Sequence, residues 1–321
     1  MKVLSLCDGI SCGQMALEKL GIEVEKYYAS EIKKEAINAT RINFPNTIHI
    51  GDVNKINYSD GVLHTENGDF EETFDLVIFG SPCQSFSRAM KTERRVGLED
   101  KERSGLFLEC HRILKEVKPT YFLMENVIMK KEDSDLISEM MGVQPIRINS
   151  KLITSQMRDR LYWTNIPVVR ELEEKSIAVN DILKDGYYPF DKARCLMKND
   201  SHGYYNGCNW TSIKRFHRWH NTGFGTIIFH SKEHYEKALE EHDKILNGRK
   251  PMASLFDSYV GNTFDCMRYL WKEERARLQT IPEKYVQCMS EKEAADLIGD
   301  GWTVDVIAYL FEGLCKNKNI K

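Results

Sequence analysis

No apolar run in this chain approaches the ~20 residues that a helix needs to cross a bilayer, so nothing in it reads as a membrane span. Excess positive charge is lacking too. The 45 Lys and Arg are outnumbered by 48 Asp and Glu, giving a net charge of −3 and a pI near 6.3. The domain-wide basic footprint of a nucleic-acid binder is therefore absent, and any basic surface has to be local. The nine cysteines, at 7, 12, 83, 110, 195, 208, 266, 288 and 315, contain no CxxC pair. That removes the usual zinc spacing, no metal site is expected, and the odd, scattered set reads as reduced thiols. At the start, Met1-Lys2 runs directly into VLSL with no charged leader and no small-residue cleavage site, which points to an intracellular setting.

What the chain does contain is 321 residues, 42% of them hydrophobic, enough for one large or two modest domains. The densest signal is FDLVIFGSPCQSFS at 74–87. Phe74 to Phe79 is a short apolar run of the kind buried on both faces of a parallel sheet. Gly80 and Pro82 end it sharply and present Cys83, with Gln84, Ser85 and Ser87 supplying polar groups. A cysteine there sits at the carboxyl edge of a sheet, where open α/β folds bind ligands. Two readings stay open at this point: a buried structural thiol, or a nucleophile that needs a partner to activate it.

Val3 to Leu6 reads as a first strand, followed by CDGISCG and the helical pattern QMALEKLG. Strand, glycine-bearing turn and helix N-terminus make a nucleotide-like site, although the spacing is not GxGxxG. Glu25 to Ser30 and Thr47 to Ile50 read as the second and third strands, with a helix from Lys33 to Asn43 between them. Asp8, Glu31 and Asp52 are 23 and 21 residues apart, each just past a strand end, so βαβ periodicity aligns them on one sheet edge. Either each caps the following helix, or the second accepts from a ribose diol and the third from an adenine amino group. The three in phase favour the ligand reading.

Residues 88–104 are almost wholly polar and include Arg88, a solvated loop or a basic one able to close over a phosphate. A helix from Gly105 to Val117 leads to a strand from Tyr121 to Met124, which ends in Glu125-Asn126-Val127. Glu125 thus shares the edge of Cys83, and a protonated Glu125 could donate to a ring nitrogen. In QMRDRLYW, Arg158 and Arg160 fall on alternate positions of an expected strand and face one side, where they could hold a phosphate.

The order SLCDGISCG, Glu31, GDV, GSPCQSFS, ENV, QMRDR, RARLQTIP and GDGWTVDVI resembles the cytosine-5 DNA methyltransferases, over residues 1–165 and 266–315. The forms LCDGISCG, WTNIP and GDGWTVDVI look most like bacterial and phage enzymes and the catalytic domain of vertebrate de novo methyltransferases. The resemblance implies an α/β fold, a doubly wound mixed, mostly parallel sheet with a smaller inserted segment. It implies S-adenosylmethionine as cofactor, S-adenosylhomocysteine as product, and double-stranded DNA as partner. Cys83 would be the nucleophile, Glu125 would hold the base, and Arg158 and Arg160 would orient it. Asp8, Gly9, Ile10, Gly13, Glu31, Ile32, Asp52, Val53, Pro82, Leu106 and Trp302 would bind the cofactor. Gln84, Ser85, Ser87, Arg88, Asn126, Arg215 and Arg218 are the residues expected to meet substrate. A bacterial or phage-infected cytoplasm is the implied setting, with restriction-modification or phage DNA modification as the role. Two departures stand out: Cys7 replaces a Phe that commonly stacks on adenine, and Asp300-Gly301 stands where many members read GNS.

Carbon 5 of cytosine is a poor nucleophile, and thiolate addition to carbon 6 makes an enamine that can take a methyl group. The base has to be flipped out of the duplex first. Residues 1–165 plus 266–321 are therefore expected to form the catalytic domain, and 166–265 a target-recognition segment. Within it, basic residues including Arg215 and Arg218 interleave with Tyr204, Tyr205, Trp210, Phe216 and Trp219, which suits phosphate contact and base stacking. A tRNA cytosine-5 methyltransferase is the nearest alternative. A catalytically silent cofactor-binding homologue and a nicotinamide oxidoreductase are the others, and the last leaves Cys83, Glu125 and the arginines unexplained.

Overall fold

The computed structural model describes residues 1–81, 101–196, 211–223, 225–252, 254–256, 263–264 and 266–315, without the side chains of 101–104, 211–212 and 263–264. Two compact units result. One comprises Met1–Asn149, Asp159–Leu172 and Val304–Lys321, the other Ser150–Arg158 and Glu173–Thr303.

In the first unit β1 (Lys2–Leu6), α1 (Cys12–Lys19), β2 (Lys26–Ser30), α2 (Lys34–Asn43) and β3 (Ile48–His49) alternate as the periodicity predicts. Three antiparallel strands, β4 (Asn57–Ser59), β5 (Val62–Thr65) and β6 (Gly68–Glu71), form a small separate sheet before β7 (Leu76–Phe79) returns to the main one. Then come α3 (Lys101–Val117), β8 (Tyr121–Val127), α4 (Lys131–Met141) and β9 (Ile146–Asn149). β10 (Gln156–Met157) belongs to the second unit, and β11 (Asp159–Thr164) returns to the first. The large sheet has the order β3-β2-β1-β7-β8-β11-β9. Its first five strands are mutually parallel, and β11 is antiparallel to both neighbours.

The chain winds outward from β1 through β2 to β3, then crosses back to β7, so the strand order reverses between β1 and β7. Ligands of open α/β sheets bind outside the carboxyl ends of the strands at such a reversal. The loops opening there begin at Cys7 and Gly80, the places the motifs single out. β7 explains the run of four apolar residues: Leu76, Val77, Ile78 and Phe79 are all fully buried, as a central parallel strand covered on both faces requires.

The second unit holds β12 (Ala193–Arg194), β13 (Thr211–Ser212), α5 (Ile213–Thr222), β14 (Ile227–Phe229), α6 (Lys232–Leu246), β15 (Thr263–Phe264) and β16 (Met267–Tyr269). Three helices follow, α7 (Lys272–Leu278), α8 (Glu283–Val286) and α9 (Glu291–Ile298). Ser290 and Glu293 close a reciprocal cap at the start of α9. The last helix, α10 (Val304–Cys315), returns to the first unit and packs on α1. Among the described residues no helix is long and apolar enough to cross a membrane.

Several expectations are revised. The large, mostly parallel sheet agrees with the sequence reading, but β4–β6 were not anticipated. Arg158 and Arg160 do not share a strand: Arg158 falls between β10 and β11, because pairing with β9 begins only at Asp159↔Asn149. Residues 266–303, grouped by motif with the catalytic domain, pack with the second unit, and the main seam falls at 172–173. Phe216 and Trp219 are buried on α5, edge-to-face or tilted against Phe229 and Tyr188, so neither presents a face to a base. They form core, as spacing of three on a helix suits.

Candidate active site

The first loop turns on left-handed residues. Cys7 has φ 55°, Gly9 φ 61° and Ser11 φ 56°, so the chain doubles back directly beyond β1. Asp8 faces inward: its carboxylate accepts from Ser5 Oγ at 2.6 Å, Tyr27 OH at 2.8 Å and Ser11 Oγ. Burial pushes its pKa up to about 6, against the downward pull of those three hydroxyls. Asp8 thereby fixes the turn, leaving backbone to face a ligand. Gly13 and Ile10 are buried behind it.

Glu31 joins this loop to the next. Its Oε2 accepts from Gly9 N at 2.8 Å, and its Oε1 from Ile32 N at 2.8 Å and Lys33 N at 2.9 Å. A carboxylate offers about four acceptor positions, and among the described residues three are used, which leaves one on Oε2. Ile32 beside it is 68% exposed, an apolar surface at the same loop. Ser30 Oγ donates to Gly51 O at 2.8 Å, tying the second loop to the third. There Asp52 Oδ1 accepts from Asn54 N and Asn54 Nδ2, capping a short 3-10 turn over Val53–Lys55, and Val53 is buried. Asp52 therefore caps, and among the described residues no donor is recorded on its Oδ2. Leu106 is half-buried on α3 and packs against the core beneath these loops.

The centre of charge is the end of β8. Glu125 lies opposite Tyr162 on β11, and Arg160, two residues away, reaches diagonally across the antiparallel pair. Arg160 Nε stands 2.8 Å from Glu125 Oε1, with the two side chains 13% and 10% exposed. The next residue, Asn126, is buried: its Nδ2 donates to Ser81 Oγ at 3.3 Å and its Oδ1 accepts from Val127 N at 2.8 Å. Ser81 is the last described residue before Pro82-Cys83. Pro82, Cys83, Gln84, Ser85, Ser87 and Arg88 lie outside the described residues.

Arg158 serves differently from Arg160. It is buried, donating to Gly301 O at 2.8 Å, Gly299 O at 3.2 Å and Cys195 Sγ at 3.2 Å. Gln279 joins the same turn through Ile298 O and Gly301 O, and Thr303 Oγ1 donates back to Gln279 Oε1. Gln156 donates to Leu278 O and Gln279 Oε1. The motifs QMRDR, RLQTIP and GDGWT thus meet in one buried polar network that sets the backbone on both sides of the half-buried Trp302. In the second unit Arg218 is exposed, while Arg215 is half-buried with its guanidinium 6.0 Å from the Tyr269 ring centroid.

A family model described as C-5 cytosine-specific DNA methylase matches residues 1–316. The chain belongs to this family. The type II methyltransferase M.NgoBV of Neisseria gonorrhoeae is 39% identical over 114 residues, 36% of this chain and 24% of that protein. The orphan methyltransferase M.Rho11sI of Bacillus phage rho11s is 34% identical over 204 residues, 58% of this chain and 37% of that one. Both match over well under half of their own length. The type II methyltransferase M1.ScrFI of Lactococcus lactis subsp. cremoris is 26% identical, across 97% of this chain and 77% of its own. Among solved structures, S. pombe Dnmt2 methyltransferase gives a TM-score of 0.64 at 17% identity with full coverage of both chains. A putative DNA modification methyltransferase of an E. coli prophage gives 0.59 at 19%, covering 99% of both. Those identities show the fold, a Rossmann-like α/β sheet.

Sequence reasoning missed the groups that brace the candidate site: Ser5, Ser11 and Tyr27 around Asp8, Ser81 against Asn126, and Gln156 with Gln279. Ser5, Ser11, Ser81, Gln156 and Gln279 all stand inside the quoted motifs, so their position was the available signal. Tyr27 carried none.

Proposed function

We propose that this chain transfers a methyl group from S-adenosylmethionine to carbon 5 of a flipped-out cytosine in double-stranded DNA. The observation that carries the reading is the family match over residues 1–316, with a buried Glu125–Arg160 pair at the carboxyl edge of its sheet. The curated relatives are type II and orphan phage DNA methyltransferases, which favours DNA over tRNA and a role in restriction-modification or phage DNA modification.

The cofactor fits the loops after β1, β2 and β3. Glu31 Oε2 would take a ribose hydroxyl, Asp52 Oδ2 the adenine amino group, and Ile32 and Val53 would cover the ring. When bound, S-adenosylmethionine supplies an electrophilic methyl group. The remaining chemistry belongs to the protein. Cys83 would add through its thiolate to carbon 6, which loads carbon 5 with electron density, and release after proton loss from carbon 5 restores the ring. Glu125 would bind the ring nitrogen and exocyclic amine while Arg160 holds its carboxyl group in place. Asn126, tied to Ser81, would steady the chain entering the Cys83 turn. Arg158 would act through the Gly299–Gly301 backbone, and so on the setting of Trp302.

The test is transfer of labelled methyl groups to mixed-sequence duplex DNA, with tRNA in parallel and Cys83→Ser as control. Label at carbon 5 of DNA cytosine, absent with the variant, is the expected result. Label in tRNA alone moves the substrate to RNA. Cofactor binding without incorporation into either refutes the reading.

A further inference from the structure

The β4–β6 sheet is unabsorbed by the proposed chemistry, yet its tip touches the loop after β3. Asp52 N donates to Glu66 Oε1 at 2.9 Å, and Asn67 Nδ2 donates to His49 O at 3.0 Å. Glu66 Oε2 pairs with Lys55 Nζ at the far end of the same turn. Gly51 has φ +81°, which favours glycine, and a Cβ built on it would lie 2.1 Å from Glu66 Oε1, so a side chain at 51 would displace the Glu66 carboxyl group from the turn.

The tip has a firm root. Leu63 is fully buried, Tyr58 OH donates to Glu72 O at 2.8 Å, and Phe70 meets Tyr28 edge-to-face at 5.2 Å. From α3, Arg112 Nη2 donates to Ile56 O at 2.7 Å and Glu116 accepts from Tyr58 N at 3.1 Å. Lys55 and the Asp52 N–H together hold the Glu66 carboxyl group below the usual carboxylate range, so an acceptor is present at neutral pH. A short strand such as β3, two residues long, cannot fix the loop that follows it by its own pairing. The hairpin tip supplies the missing restraint from outside the main sheet.

We propose that Glu66, assisted by Asn67, is a positioning residue that sets the Gly51–Asp52–Val53 turn for recognition of the adenine amino group. The inference rests on the reading of Asp52 as the adenine contact given above. Among the described residues the polar contacts of Glu66 all go to this turn, so its effect appears in cofactor affinity and base discrimination and not in turnover at saturation.

The experiment titrates the full chain with S-adenosylhomocysteine and with S-inosylhomocysteine, whose purine carries a 6-oxo group in place of the amine. Wild type, Asp52→Ala, Glu66→Ala and Glu66→Gln are compared, with melting temperatures taken alongside. Wild type is expected to prefer the adenosyl ligand by about tenfold, the value of one buried hydrogen bond, and Asp52→Ala to lose that preference. Glu66→Ala loses about fivefold in adenosyl affinity, narrows the preference, raises KM for S-adenosylmethionine and leaves kcat unchanged. Glu66→Gln, which retains the Oε1 acceptor, restores both affinity and preference. Unchanged affinity and preference in Glu66→Ala, with the preference lost in Asp52→Ala, overturns the role of Glu66 alone. A wild type without preference, unaffected by Asp52→Ala, overturns the reading of Asp52 on which it rests.

Discussion

The Glu125–Arg160 pair can be tested through stability, separately from catalysis. Arg160→Met removes the guanidinium and keeps an apolar stem over the sheet, so the lost interaction is electrostatic rather than packing. With side chains only 13% and 10% exposed and a separation of 2.8 Å, the variant removes the Arg160 charge from beside the Glu125 carboxyl group in a site nearly closed to water. Breaking a buried pair in this way costs about 3 to 5 kcal/mol, and the position at a sheet edge places it near the lower end, about 3 kcal/mol. Glu125→Gln, alone, leaves Arg160 with a neutral partner and costs less. In the double variant neither charge is stranded, so the cycle should return a coupling of about 2 kcal/mol.

Because the chain holds two units, a global melting curve mixes two transitions. Native-state hydrogen exchange of the β8 and β11 amides isolates the relevant one, since Tyr162 and Glu125 are directly paired. Additivity of the single variants to within about 0.5 kcal/mol would refute the argument that the pair is a buried, mutually dependent unit.

Three further outcomes concern pH. Glu72, against its own burial, is held down to about 2 by hydrogen bonds from Lys2, Lys26 and Tyr28. A depressed carboxyl pKa gives stability that is full above pH ~4.5 and lost as the pH falls to ~2, worth about 2 kcal/mol after allowance for the half-exposed lysines. Urea midpoints of wild type and Glu72→Gln should therefore differ at pH 7 and converge near pH 2. Asp8 runs the other way: desolvation raises it to about 6, so the folded state binds a proton the unfolded chain has released, and stability falls as pH rises from ~4 to ~6. Asp8→Asn should flatten that slope, and an unchanged slope sinks the assignment. His217 Nδ1 lies 2.9 Å from His242 Nε2, and burial, then His242 and His220, lower its pKa. A native state that resists protonation loses stability as pH drops below ~6.5, so tryptophan fluorescence should show earlier urea unfolding of α5 at pH 5.5 than at pH 7.5 in wild type and a smaller difference in His217→Gln.

How far the sequence carried depends on which signals were local. The strands of the main sheet announce themselves because a parallel strand buried on both faces must be continuously apolar, as Leu76 to Phe79 are. The hairpin was legible and overlooked: Asp60-Gly61 and Asn67-Gly68 are the dipeptides that two-residue turns favour, and Asp60 and Gly61 adopt φ 53° and 80°. Phe216, His217 and Trp219 sit at helical spacing, which signals a core face, but the surrounding basic residues suggested a surface. The partition of Arg158 and Arg160 was not legible. Alternate residues share a face only while the strand continues, and the break at Arg158 depends on where β9 ends its pairing, a contact made by another segment.

The acids at the strand ends cap their loops, and the function proposed above gives the same groups a ligand as well. Among the described residues Glu31 accepts three backbone N–H groups, leaving one acceptor position, and Asp52 caps its turn through Oδ1. An ionised carboxyl group has two oxygens and about four acceptor positions, so one oxygen can brace the backbone while the other addresses a ligand. An amide in the same place has one acceptor and two donors, and could brace the loop only by giving up the contact. Bracing before binding matters because each loop ordered in advance removes a conformational cost from association. The two roles are therefore one role: a carboxylate that caps its turn holds its second oxygen at a fixed place, which is what recognition of a diol or an amino group requires.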